Sequence, residues 1–266
     1  MRGLRIYAII YLVFLYAPIL LLPLFAFNDG TIIAFPLQGF TLNWFYELTQ
    51  TEALHTATLN SLMIAIITAV LSTCFGMFAA RAATRHKFPG KSGILGFVML
   101  PLVLPEIIVA VSLLVVMLQL GFSMGLWSVI VGHVLICTPF SIAILNGSFA
   151  NLDQSLEEAS VDLGETQLST FRLVTLPLVM PGIIASLLIC FTISLDEFII
   201  AFFLSGNEPT LPVYLWGQLR FPGRLPVIMA LGTLLVVLSI VLLVIAETFR
   251  RRGLRRSGLK GTGGFL

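Results

Sequence analysis

The chain has 266 residues, 58% of them hydrophobic and only 11% charged, with a mean hydropathy of +1.03 and a formal net charge of +2. That balance excludes a soluble globular domain and predicts an all-α integral membrane protein, with no nucleic-acid partner expected. Cys74, Cys137 and Cys190 stand singly in apolar runs, so neither a disulfide framework nor a metal site is suggested, and packing roles are expected.

Arg2 and Arg5 precede an apolar run over 6–27, long enough to cross about 30 Å of hydrocarbon at about 1.5 Å per residue. Phe27-Asn28-Asp29 is not a small-residue cleavage site, so a retained first span is predicted, bent near Pro18 or Pro23. Residues 28–56 are polar and turn-rich, with Asp29, Glu47 and Glu52 and no Lys or Arg. A second span over 57–80 leads to a basic loop holding Arg81, Arg85, Lys87 and Lys91. The third span, 94–120, is interrupted by Pro101 and Pro105, and a tight loop at Gly121 to Gly125 leads into the fourth, 126–145. A polar loop over 152–177 comes next, then a fifth span over 179–204, a polar segment over 205–225, a sixth span over 226–246 and a basic tail over 247–266. The glycine-rich part of that tail, after Arg256, is expected to be disordered.

These segments read as one transmembrane domain, 1–266, with both termini on the same side. Of the fifteen Lys and Arg residues, only Arg220 and Arg224 fall in the loops of the opposite side. The positive-inside rule therefore predicts that the termini and the central loop are cytoplasmic.

The central loop is the one long polar interruption in the second half of the chain. Leu152, Leu156, Ala159 and Leu163 recur at helical spacing, with Asp153, Glu157, Glu158 and Asp162 off that stripe. Asp153 or Ser155 can cap the helix, Ser155 and Glu158 have capping-box spacing, and Gly164 suits a left-handed stop. A second short helix is predicted with Thr166 as cap, Leu168, Phe171 and Val174 on its apolar face, and Pro177 preventing its continuation. A helix pair lying on lipid headgroups is the plainer reading. Five acids against the single base Arg172 would be repelled by anionic lipid, so a basic protein partner fits better.

Glu158-Ala159-Ser160, then Gly164, Val174 and Leu176-Pro177 at fixed spacing, resemble the "EAA" loop of permease subunits of bacterial ABC importers, with Ser160 for Ala and Val174 for Ile as small departures. The resemblance implies a six-span MetI-like permease fold in the bacterial inner membrane, whose central loop forms coupling helices docking on a separate ATPase. Glu158 would be a polar contact and Gly164 the turn. It further implies a second permease, two ATP-binding subunits that hold ATP and Mg, and an extracytoplasmic solute-binding protein. The chain itself would hold no cofactor and catalyse no bond chemistry.

Three acids lie inside the predicted spans: Glu106 in the third, and Asp196 and Glu197 in the fifth. Each costs on the order of 2.5 to 3.5 kcal/mol in lipid, so each should face protein or water, as part of a transport path or as scaffold, with Arg220 a candidate partner for the pair. Phe27-Asn28, Gly39 to Phe45, Ser194-Leu195-Asp196-Glu197-Phe198 and Thr210-Leu211-Pro212 are similar to the spermidine/putrescine-type branch of these permeases. That resemblance implies a polyamine as cargo, and the branch also includes carriers of other small organic solutes, amino-acid-like or opine-like. Tyr214 and Trp216 suit a polycation through cation–π contact, or serve as interface anchors. A secondary transporter is less favoured because the central loop has no counterpart in the first half.

Other motifs carry no chemistry. Gly90-Lys91-Ser92 ends like a phosphate-binding loop, but Arg85 occupies the position of its first glycine. Gly121-Phe122-Ser123-Met124-Gly125 has the spacing of a nucleophile elbow without the strand that motif needs. His133 is expected to be buried and hydrogen-bonded rather than a metal ligand.

Overall fold

The computed structural model describes residues 2–256, and among them every regular element is helical. In hydrocarbon no water satisfies a backbone N–H or C=O, so apolar runs of this length must close their hydrogen bonds internally. The helices are α1 (Arg2–Ala26), α2 (Asn43–Gln50), α3 (Glu52–Arg85), α4 (Lys91–Val98), α5 (Glu106–Gln119), α6 (Leu126–Ala150), α7 (Gln154–Asp162), α8 (Gln167–Thr170), α9 (Leu176–Asp196), α10 (Ile199–Leu204), α11 (Leu211–Gln218) and α12 (Leu225–Arg256). Among the described residues, five stretches are long and apolar enough to cross a membrane, with α5 a shorter apolar helix. The end of the tail, expected to be disordered, lies outside the described residues.

Two compact units form, one from the residues up to Glu52 with those from Leu215 onward, the other from Ala53–Tyr214. In the first, α12 packs against α1 and α2. Helix α1 runs through both Pro18 and Pro23, and its Leu4, Tyr7 and Phe14 are exposed as a lipid-facing surface requires. The chain after α1 folds back on itself. Phe27 stacks on Phe40 at 5.3 Å between ring centroids, Asn28 accepts the Gln38 N–H on Oδ1 at 2.8 Å, and Trp44 Nε1 donates to the Asn28 carbonyl at 2.8 Å.

The second unit is built around α6, which packs on α5, α9 and α10. Small and hydroxylic residues set these contacts, as is usual where lipid removes the hydrophobic drive between helices. Gly76 of α3 lies directly against Ser141 of α6, and Gly182 of α9 against Ser148 of α6; a methyl group at either glycine would collide with the facing hydroxyl. Ser186 of α9 bonds Thr73 of α3 at 3.0 Å and Ser141 of α6 at 2.8 Å, joining three helices through hydroxyls. Cys137 and Cys190 are buried and free, each sulfur near the other's carbonyl at 3.7 and 3.6 Å.

The predicted third span is broken, since α4 ends at Val98, a tight turn occupies Leu100–Leu102, and α5 starts at Glu106. The fifth is broken near its end, where α9 stops at Asp196 and α10 starts at Ile199. One expectation is corrected. Pro177 does not separate the central loop from the fifth span, because α8, a five-residue π turn at Phe171–Thr175 and α9 run on from Gln167 to Asp196. Proline lacks an N–H and its ring crowds the carbonyl four residues back. The wider π turn just upstream, with Pro177 in the first turn of α9, accommodates both.

Candidate coupling segment and solute path

Asp153 supplies the cap of α7, its Oδ1 accepting the Ser155 N–H at 3.0 Å, so the Ser155 capping-box alternative is not the one adopted. That bond favours the anion and holds the Asp153 carboxyl below its usual range. Gly164 adopts φ +93° and ends the helix, and Thr166 caps α8 by accepting the Ser169 N–H at 3.2 Å. Ser160, the departure from the motif's second alanine, is buried and bonds Thr170 at 3.0 Å, pinning α7 to α8.

The rest of the motif faces outward. Glu158, Ala159, Gly164 and Pro177 are exposed, and Val174 and Leu176 are half-buried. The stripe expected to bury α7 is largely uncovered, with Leu156 46% and Leu163 86% exposed. An acidic helix that also exposes large apolar side chains has the composition of a docking surface.

Glu157 has a different role from its neighbour. Its Oε2 takes the Arg85 Nε–H at 2.5 Å and its Oε1 the Thr175 hydroxyl at 2.6 Å, while Arg85 Nη2 donates to the Leu152 carbonyl at 3.1 Å. The Arg81 guanidinium lies 4.4 Å above the Phe171 ring. The end of α3 is thereby tied to α7 and to the π turn that follows α8, around a cleft of about 330 Å³. The sequence places Glu157 in the acidic loop and Arg85 in the basic one without pairing them. The only available signal was a basic loop and an acidic loop predicted on the same side.

The candidate path acids separate. Glu197 is buried, its two oxygens accepting the N–H groups of Ile200 and Ala201 at 2.9 and 3.1 Å. Its Oε2 lies 3.2 Å from His133 Nε2, at ion-pair distance but outside hydrogen-bond alignment, and His133 Nδ1 lies 2.7 Å from Ser194 Oγ. Glu197 therefore holds the start of α10, and the side chain beside it is His133 of α6. Asp196, one residue earlier, is exposed at the last position of α9, and Glu106 is exposed at the first position of α5. Tyr214 is half-buried and Trp216 exposed, both on α11. Among the described residues, no group of three or more His, Cys, Asp or Glu is placed to hold a metal.

Residues 72–256 match the family described as binding-protein-dependent transport system inner membrane component. The chain belongs to this family. The permease is 32% identical to the spermidine/putrescine transport system permease protein PotC of Haemophilus influenzae over 240 residues, 90% of this chain and 93% of that one. It is 36% identical to the putrescine transport system permease protein PotI of Escherichia coli, over 84% of this chain and 82% of that one. Among solved structures, a bacterial ABC transporter involved in import of the acidic polysaccharide alginate has a similar chain, with a TM-score of 0.71 at 17% identity, covering 94% of the permease and 98% of that chain. The alginate transporter in complex with its pentasaccharide-bound periplasmic protein also matches, at a TM-score of 0.71 and 20% identity over 94% and 93%. The fold is thus that of ABC importer permeases. The permease is an inner-membrane transport subunit, not an enzyme, and serves a system that depends on a binding protein.

Proposed function

We propose that the permease carries a polyamine of the putrescine or spermidine class, paired with a second permease and driven by two cytoplasmic ATPases that hold the ATP and Mg. The observation that carries this reading is the naming of relatives such as PotC and PotI, which align over most of their length, for these solutes. Fold likeness alone leaves the cargo open, since a chain from an importer of an acidic polysaccharide has the same architecture. In this reading both termini and the 152–177 loop are cytoplasmic. The exposed surface of α7, with Glu158 on one side and the Leu156 and Leu163 stripe on another, docks on an ATPase, with Ala159, Ser160, Gly164, Val174, Leu176 and Pro177 shaping the segment. Closure of the ATPases moves it and alternates access to the path.

Of the three path candidates, Asp196 and Glu106 are exposed and able to meet a cation. Asp196 sits where the carbonyl end of α9 adds negative potential to its carboxylate, whereas the charge of Glu197 is already engaged by the N-terminus of α10. Tyr214 and Trp216 offer rings to a polycation. In the reconstituted complex with its binding protein, Asp196→Asn is expected to lower labelled putrescine uptake about tenfold, a single charge contact of roughly 1.4 kcal/mol, without loss of assembly. Unchanged uptake would remove Asp196 from the path, and uptake of an anionic solute by the parental complex would overturn the cargo.

A further inference from the structure

Helix α3 spans 34 residues and, unlike α1, α6 and α9, contains no proline. A continuous helix without proline lacks one of the main causes of a sharp kink, so a displacement at one point can be carried along it. The helix is fastened at two distant points to other segments of the same unit. At one end Arg85 holds Glu157 and the Leu152 carbonyl, and Glu157 also holds Thr175. The Arg85 and Glu157 side chains are only 12% and 13% exposed, so the pair is shielded from the screening that weakens surface ion pairs. About 36 Å along the helix, at about 1.5 Å per residue, Asn60 Nδ2 donates to the Pro209 carbonyl at 3.2 Å and Ser61 Oγ accepts the Leu211 N–H at 2.7 Å. Those two bonds grip the segment that joins α10 to α11, next to the helix whose start Glu197 holds. Midway, Thr73 and Gly76 key α3 into α9 and α6.

We infer that α3 is a strut that carries movement of the central loop to the 205–211 segment at its far end, with Arg85 and Glu157 as the positioning residues that engage it. The inference rests on the reading of 152–177 as the coupling segment. It adds a second route to the one through α9. The α9 route is interrupted at Glu197, whereas α3 is continuous between its two fastenings.

The test separates coupling from folding. In a reconstituted complex with partner permease, ATPases and binding protein, Glu157→Gln and Arg85→Gln are expected to keep assembly and ATP hydrolysis while lowering putrescine imported per ATP about tenfold. Asn60→Ala with Ser61→Ala, at the far end, should produce the same split, which a purely local role of Glu157 in α7 would not. With Cys74 replaced by Ala, cysteines at 85 and 157 joined by a short bis-thiol linker should restore the ratio that the unlinked pair loses. A parental ratio in the Glu157→Gln and far-end variants, or a ratio that stays low after linking, overturns the strut and leaves the functional reading intact. If the parental complex imports no putrescine, the cargo reading fails, and the same variants are compared through stimulation of ATP hydrolysis by the binding protein.

Discussion

Glu197 shows how little a residue's type says about its task. Two adjacent acids at the end of α9 read as one constellation, yet one faces outward and the other is buried against His133 and the first amides of α10. Alternation of direction where a helix ends is enough to separate them. Removing the buried member strands an imidazole and two amides, so Glu197→Ala is expected to destabilise the protein by about 3 kcal/mol. Asp196→Asn should stay within about 0.5 kcal/mol. Unfolding midpoints of the detergent-purified complex check both, and equal effects would contradict this division.

At the scale of the element, the central loop is set by its caps and by the helix that continues from it. Asp153 begins α7, Gly164 ends it and Thr166 begins α8, each by a local bond or backbone conformation. Because the Asp153 carboxyl titrates lower in the folded protein than in the unfolded chain, its contribution is fully present above the ordinary value of about 3.8 and is lost as pH falls through the lower folded value. Amide protection at Ser155 should therefore be flat near neutrality and fall only in the acid range; Asp153→Asn should remove that acid step. A step near neutrality would contradict the assignment. The continuity of α8 with α9 through the π turn means that a push on the loop also acts on the span itself.

For the whole molecule, the orientation proposed for the ATPase contact can be tested directly. With Cys74 replaced, a cysteine at the exposed position of Tyr46 is expected to react with an impermeant thiol reagent from outside, and one at Leu163 only after the membrane is opened. The reverse pattern would overturn the cytoplasmic placement of the loop. Position 160 would be uninformative, because Ser160 is buried against Thr170.

The membrane class, the apolar runs and the spacing of the loop motif are legible in the sequence because each depends on residues close along the chain. Hydropathy over about twenty residues determines insertion, and caps, left-handed glycines and prolines act within a turn or two. Even so, the local rule failed at Pro177, where the preceding helix could widen to accommodate it. Pairings between helices were decided only by tertiary packing. His133 meets Glu197 across 64 positions and Arg85 meets Glu157 across 72, and nothing in either neighbourhood names the other. A buried charge takes whichever partner the close approach of helices brings within reach, and that approach is set by small residues such as Gly76 and Gly182 whose contacts the chain does not encode locally.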